Sequence, residues 1–385
     1  MGRLLSSTLF RLLLAVVVGI AIGPFVGAGF MNVVVTVKYI VGQLIFFMVP
    51  LIVLSFISSS IAKMGQVASR MLMLSLCVAY LSSVGAAFMA MALGYNILPW
   101  LTVTSDVAAV RELPPLLFEF NIPPVMSVIS ALVLAIMVGL SAIWSRAERF
   151  TMLLEEFQQM VLLMIKRILI PILPIFIACN FCALSYEGVI THQLPVFLNV
   201  MVVVLAAHFM WLAILYGIAG LVTFKNPWSV LRYYAPPYFT AIGTMSSAAT
   251  LPVSLTAAKR SPILKAQTVD FAIPIFSNIH LCGSILTEVF FVMTVSKLLY
   301  GSFPEPQTMV LFILLLGIFA IGAPGVPGGT VIASLGIVVS ILGFDSAATA
   351  LLLTIFALQD SFGTACNVVG DGALTMIVDR YNRVG

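Results

Sequence analysis

Apolar stretches of helical length recur along the chain, separated by short polar or basic breaks. They fall near residues 8–30, 32–60, 70–97, 122–145, 157–186, 194–223, 264–299 and 345–379. Stretches of this length can cross a hydrocarbon core of about 30 Å as helices, and they lack the alternation of an outer-membrane barrel. The pattern predicts an all-α membrane protein with eight transmembrane helices. Two more apolar segments, near 227–258 and 306–342, are broken in the middle. One break reads Ala241-Ile-Gly-Thr-Met-Ser-Ser-Ala-Ala-Thr-Leu-Pro252, the other Ile321-Gly-Ala-Pro-Gly-Val-Pro-Gly-Gly-Thr330. Irregular backbone at membrane depth survives only where protein or a polar cavity satisfies it. Both segments are therefore expected to be re-entrant helical hairpins, and paired breaks of this kind point to the binding site of a secondary transporter.

Charge orients the pattern. With the N-terminus in the cytoplasm, only Lys38, Arg111 and Lys297 of the 18 Lys and Arg fall outside or near the outer edge. That is the positive-inside asymmetry of membrane proteins. It sends the first hairpin in from the inside and the second from the outside, so hairpin plus helix occurs twice in opposite orientation, an inverted repeat. The chain is 62% hydrophobic and 8% charged, against about 25% charged in soluble domains, so it cannot cover itself with a polar surface. The bilayer is the expected partner, and no nucleic acid is expected. The first run, Leu9 to Phe30, lacks a small-residue cleavage site and reads as a span rather than a signal peptide. The five cysteines, Cys77, Cys179, Cys182, Cys282 and Cys366, lie in apolar segments. Buried, reduced thiols are expected, with a structural role for Cys179-Asn-Phe-Cys182 despite its redox-type spacing.

The last span carries Asp360, Thr364, Asn367 and Asp371 at steps that place them on one helical face. Ionisable residues inside a membrane usually face a polar interior or a pathway. Two carboxylates on one face favour ligand binding; a hydrogen-bond network holding helices together is the alternative. Gly363 and Gly370 flank the face and allow close approach. The preceding span carries His280, Ser284 and Glu288 at four-residue spacing. His280 and Glu288 are read as a proton-carrying pair, because imidazole ordinarily changes charge near neutral pH. The alternative is a neutral histidine on a backbone carbonyl and a glutamate near the outer interface. In the first hairpin tip Ser246, Ser247 and Thr250 offer hydroxyls; the glycine-rich second tip offers backbone amides. Half-helix N-termini suit a carboxylate. His208 and Trp211 are expected in the core or against lipid, and His192 in an external loop. Gly370-Asp371 resembles the Gly-Asp of intramembrane aspartyl proteases, but a Tyr-Asp-type partner is missing, so no enzyme is expected.

Three motifs together carry a more specific likeness. Ser246-Ser-Ala-Ala-Thr-Leu-Pro252, Gly325-Val-Pro-Gly-Gly329 and Asp360-Ser-Phe-Gly-Thr-Ala-Cys-Asn-Val-Val-Gly-Asp371 resemble the dicarboxylate/amino acid:cation symporter family in order and spacing. This is the family of glutamate and neutral amino acid transporters. Leu358-Gln-Asp-Ser361, Thr364-Ala365 and Asn367 are similar to its bacterial serine/threonine transporters. The resemblance implies that Asp360 binds a substrate α-amino group with Thr364 nearby. It implies that Asn367 binds substrate carboxylate and supports a cation, and that Asp371 ligates sodium. Ser247, with Ser246 beside it, and Val326, Pro327 and Gly328 match substrate-contacting positions. The resemblance also implies a homotrimer of elevator type, with scaffold helices in residues 1–69 and 98–193 and a transport domain in 70–97 and 194–385.

The departures from that family pattern shape the expected function. Gly363 and Met245 stand where acidic-substrate members place arginines, and a dicarboxylate without a guanidinium would keep a buried charge unpaired. The family's Asn-x-Asp-Gly is His280-Leu-Cys-Gly283 here, which removes oxygen ligands that hard cations need. Glu288 matches the proton-accepting glutamate of proton-coupled members. The expected protein is a bacterial inner-membrane secondary transporter importing a small neutral amino acid with protons, sodium or both, and no other cofactor. A sodium-coupled carrier of acidic amino acids or dicarboxylates, and an ion channel, are the alternatives.

Overall fold

Prolines set many of the helix ends in this chain. Pro24 stops the first helix: α1 (Thr8–Ile22) passes through a 3-10 turn at Gly23–Phe25, and α2 (Ala28–Gln66) begins three residues later. The first expected span is therefore shorter than 8–30, and Phe30 belongs to α2. The computed structural model describes residues 8–66, 70–101, 111–188, 190–323 and 328–381. Among these, the regular elements are helical and no strand occurs. After α3 (Arg70–Leu101), α4 (Val128–Trp144) starts later than expected, because the Ser127 hydroxyl caps it by accepting the Ser130 N–H. A single long helix follows in three parts: α5 (Glu148–Met164), a π-helical turn (Ile165–Leu169) and α6 (Ile170–Tyr186). Pro171 lacks an N–H and crowds the preceding turn, and a π-turn absorbs both defects. α7 (Ile190–Thr223) includes His192 in its first turn rather than in an external loop.

The short α8 (Trp228–Leu231) leads to two helix pairs and three further helices. α9 (Ala235–Thr244) and α10 (Ser247–Lys259) pack against each other as a hairpin. α11 (Ala266–Ile279) and α12 (Cys282–Tyr300) replace what the apolar pattern presents as one span, 264–299. α13 (Pro306–Ile321) and α14 (Gly329–Leu342) form the second hairpin, and α15 (Ser346–Tyr381) ends the fold. The broken span is a correction to the sequence reading. His280 and Leu281 leave helical geometry there, so His280 does not share a helical face with Ser284 and Glu288.

Among the described residues, six helical stretches are long and apolar enough to cross a membrane: 28–63, 71–101, 148–186, 196–223, 266–300 and 347–381. α12 and α15 lie at the centre, packed on each other and enclosed by α3, α7, α9 and α11. α2 packs with α4, α5 and α6, and α6 with α1. α13 lies on α3, while α14 reaches α2, α4 and α15. Outward positions such as Val17, Leu153, Met160, Val202 and Leu221 are exposed apolar side chains, suited to lipid. All five cysteines are free; Cys77 is exposed rather than buried, and Cys179 is half-buried.

One clasp closes the base of the first hairpin. Asp379 on the last turn of α15 accepts from Lys225 Nζ at 3.1 Å and from the Lys265 backbone N–H at 3.2 Å. Lys225 Nζ also donates to the Ile263 carbonyl at 2.7 Å. The chain entering the hairpin and the chain leaving it are thus held by a single carboxylate.

Close approach of helices depends on small residues. A Cβ on Gly139 of α4 would stand 2.6 Å from Ile61 Cβ and 3.1 Å from the Ser58 carbonyl oxygen of α2. Gly139→Ala should therefore destabilise the purified protein by about 1–3 kcal/mol, the usual cost of overpacking. Thermal unfolding in detergent measures it, and an unchanged midpoint would show that α2 and α4 do not meet this closely.

Candidate functional site

The break between α11 and α12 leaves backbone amides at a helix start inside a buried core, and they need acceptors. Asn367 of α15 supplies one. Its Oδ1 accepts the Gly283 N–H at 2.7 Å and the Ser284 N–H at 3.3 Å, while its Nδ2 donates to Ser284 Oγ at 2.9 Å. Two backbone donors demand the oxygen on that side, so the network fixes the amide's orientation. Asn367 therefore acts as an N-cap from another helix, and one amide N–H is left over for a ligand. Ser83 of α3 accepts the Leu281 N–H at 3.4 Å.

His280, in extended geometry at the break, is fully buried. Its Nδ1 meets Asp371 Oδ1 at 2.9 Å and its Nε2 meets Ser82 Oγ at 2.9 Å. The ring links α3, the broken span and α15. Glu288 lies elsewhere in the core: Ser334 of α14 donates to its Oε1, and its buried Oε2 has no partner among the described residues. Each of the two groups expected as a proton-carrying pair thus has its own neighbour, and no bond joins them. The alternative for His280, a bond to a backbone carbonyl, does not occur either, since its ring bonds the Asp371 and Ser82 side chains. His208 of α7 bonds the Gly283 carbonyl at 3.1 Å and Thr287 Oγ1 at 2.9 Å through Nε2, so it belongs to the core that holds the start of α12.

The hairpin tips approach the same face. In the first, Met245 adopts the left-handed conformation (φ 52°) and is buried, and Ser246 caps α10 by accepting the Ala249 N–H at 3.3 Å. Ser247 and Thr250 follow as buried residues on α10. In the second, Gly328 takes φ 72°, a conformation open to glycine, and donates its N–H to Asp360 Oδ2 at 2.7 Å. Asp360 thereby joins α15 to the second hairpin. Val326 and Pro327 lie outside the described residues.

The close approach that Gly363 allows is between backbones. A Cβ there would stand 3.2 Å from Ser284 Cα and 3.3 Å from Ser284 N, and one on Gly283 would stand 2.5 Å from the Gly363 carbonyl oxygen. The glycine is where the backbones of α12 and α15 meet, so it does not leave room for a ligand. Thr364 sits on the next residue of α15, buried beside it. A cavity of about 880 Å³ lies between α2, α5, α11 and the two hairpins, reaching Ser246, Ala249, Asn278 and Gly322, with Lys63 and Lys166 among its lining. Asp360, Thr364 and Asn367 do not line it.

Sequence reasoning missed Ser82, Ser83 and Ser334. The one local signal was polar residues inside apolar helices, which rarely occur without a partner.

Apolar helices of spanning length, one helix broken inside the core and two helical hairpins packed on a helix that carries buried carboxylates define a multi-pass membrane protein with a polar interior site. The sequence pattern of the sodium:dicarboxylate symporter family matches residues 8–381, and the chain belongs to that family. It is similar to excitatory amino acid transporter 2 of Mus musculus, at 28% identity over 203 residues, covering 51% of this chain and 35% of that protein. Excitatory amino acid transporter 1 of Homo sapiens is 28% identical over 198 residues, with 51% and 35% covered. An excitatory amino acid transporter of Caenorhabditis elegans is 28% identical over 163 residues, with 42% and 32% covered. The matches span about a third of the length of these relatives.

Removing the amide of Asn367 strands two backbone donors. Asn367→Ala should destabilise the protein by about 1–3 kcal/mol, the cost of leaving buried polar groups unpaired, and should speed hydrogen exchange at Gly283 and Ser284. Unchanged exchange at those two amides would remove Asn367 from its capping role.

Proposed function

We propose that the chain is a secondary active transporter that imports a small neutral amino acid such as serine, threonine or alanine, coupled to protons, sodium or both. The observation that carries this reading is the balance of charge at the site. Asp360 offers a carboxylate for an ammonium, Asn367 retains an amide N–H for a carboxylate, and the expected guanidinium positions are Gly363 and Met245. Gly363 is filled by backbone contact and Met245 is buried. A second, acidic side chain on the substrate would find no cation at either of those two positions, and an unpaired buried charge is costly. The neighbouring roles follow the family resemblance: Ser246, Ser247, Thr364 and Gly328 beside the substrate, with Asp371 on the cation side.

Several wider features belong to the same reading. The eight spans with two re-entrant hairpins would work as an elevator, with residues 1–69 and 98–193 as scaffold and 70–97 and 194–385 as transport domain. A homotrimer in a bacterial inner membrane, without enzymatic activity, completes it. An acidic amino acid or dicarboxylate carrier is the second reading, favoured by the family's name and by the relatives' names.

Uptake by reconstituted vesicles separates these readings. Serine, threonine or alanine should compete with labelled substrate at least about tenfold better than aspartate or glutamate, a difference of about 1.4 kcal/mol. If aspartate is the tightest ligand, the argument from the missing guanidinium is wrong. Counterflow, which a channel does not support, distinguishes a carrier.

The coupling ion has its own test. An inward proton gradient should drive uptake in sodium-free vesicles, and Glu288→Gln should abolish that drive while leaving exchange. Strict sodium dependence with no response to the gradient would refute proton coupling.

A further inference from the structure

Sodium is the cation in the family's name, so the residues that would hold it can be compared with those present. We infer that His280 stands in place of a bound sodium ion, its own ring tying α3, the broken span and α15 together. Asp371, the carboxylate that the family resemblance gives to sodium, is engaged by His280 Nδ1, and the Ser82 hydroxyl is engaged by Nε2. The ring fills the space between them: a Cβ on Gly370 would stand 2.7 Å from His280 Cε1, so only glycine lets the imidazole lie there. Two residues along, Cys282 is a buried thiol, a soft ligand unsuited to a hard cation. The nearby oxygen of Asn367 is taken by two backbone donors. The residues at this position do not fit sodium.

A hard cation bridging a carboxylate, a hydroxyl and a broken helix needs oxygens converging on one point. Here the imidazole joins the carboxylate, the Ser82 hydroxyl and the broken helix without an ion. The helices of the core can then assemble in any monovalent salt. The inference rests on the transporter reading only through the family's use of sodium, and it makes His280 a residue that determines ion dependence.

Thermal unfolding of the purified full chain in detergent, without amino acid, tests it in sodium, potassium and choline chloride. The wild type should melt at the same temperature in all three. His280→Asn removes the ring and restores an oxygen, so its midpoint should be lower in potassium and choline and recover in sodium by about 3 °C or more. Ser82→Ala, which keeps the His280–Asp371 bond, should lose stability equally in every salt. A sodium response that is the same in the wild type and His280→Asn would overturn the inference. If the variant can be purified only in sodium, the inference is upheld in its strongest form; a variant unfolded in sodium as well overturns it. Failure here leaves amino acid import untouched, because no substrate is present, and failed import would leave the salt comparison unchanged.

Discussion

A helix that starts in an apolar interior must find acceptors for its first amides, and this requirement organises the centre of the protein. Asn367 caps α12, Asp360 receives the Gly328 N–H just before α14, and Ser246 caps α10. Two of the three acceptors come from α15. That helix is central because its polar face closes the openings that the other elements create. The alternatives raised by the sequence, a ligand-binding face or a structural network, are therefore not exclusive: the side chains that hold the breaks are those that face the hairpin tips.

The breaks differ in how far they could be read from sequence. The breaks between α9 and α10 and between α13 and α14 are marked by glycine, proline and hydroxyl residues in otherwise apolar stretches, so both helix pairs were legible. The break at 280–281 carries neither glycine nor proline. It is imposed by partners far along the chain, Ser82, Ser83, Asn367 and Asp371, so local pattern read straight through it as helix. For the same reason the four-residue spacing of His280, Ser284 and Glu288 suggested a shared face that does not exist. Gly363 shows another limit. A glycine in a polar helix face signals either space or close contact, and only the position of Ser284 on another helix decides between them.

The proposed zwitterionic substrate suits this arrangement chemically. The core holds the carboxylates of Asp360, Asp371 and Glu288, and their partners are a backbone amide, an imidazole and a hydroxyl. Asp371 is already answered by His280 and Glu288 by Ser334. Asp360, which bonds the backbone amide at the second hairpin tip, is the carboxylate that an incoming ammonium would pair with under this reading.

The Asp379 clasp has a consequence for the order in which the protein comes into being. Lys265 waits for a partner 114 residues further along the chain. At typical synthesis rates of about 5–20 residues per second, that partner emerges on the order of 10 s later. During that interval the first hairpin exists with its base open, and no amount of local helix formation can shut it. The arrival of the turn that carries Asp379 is thus the event that completes the base of an element made much earlier.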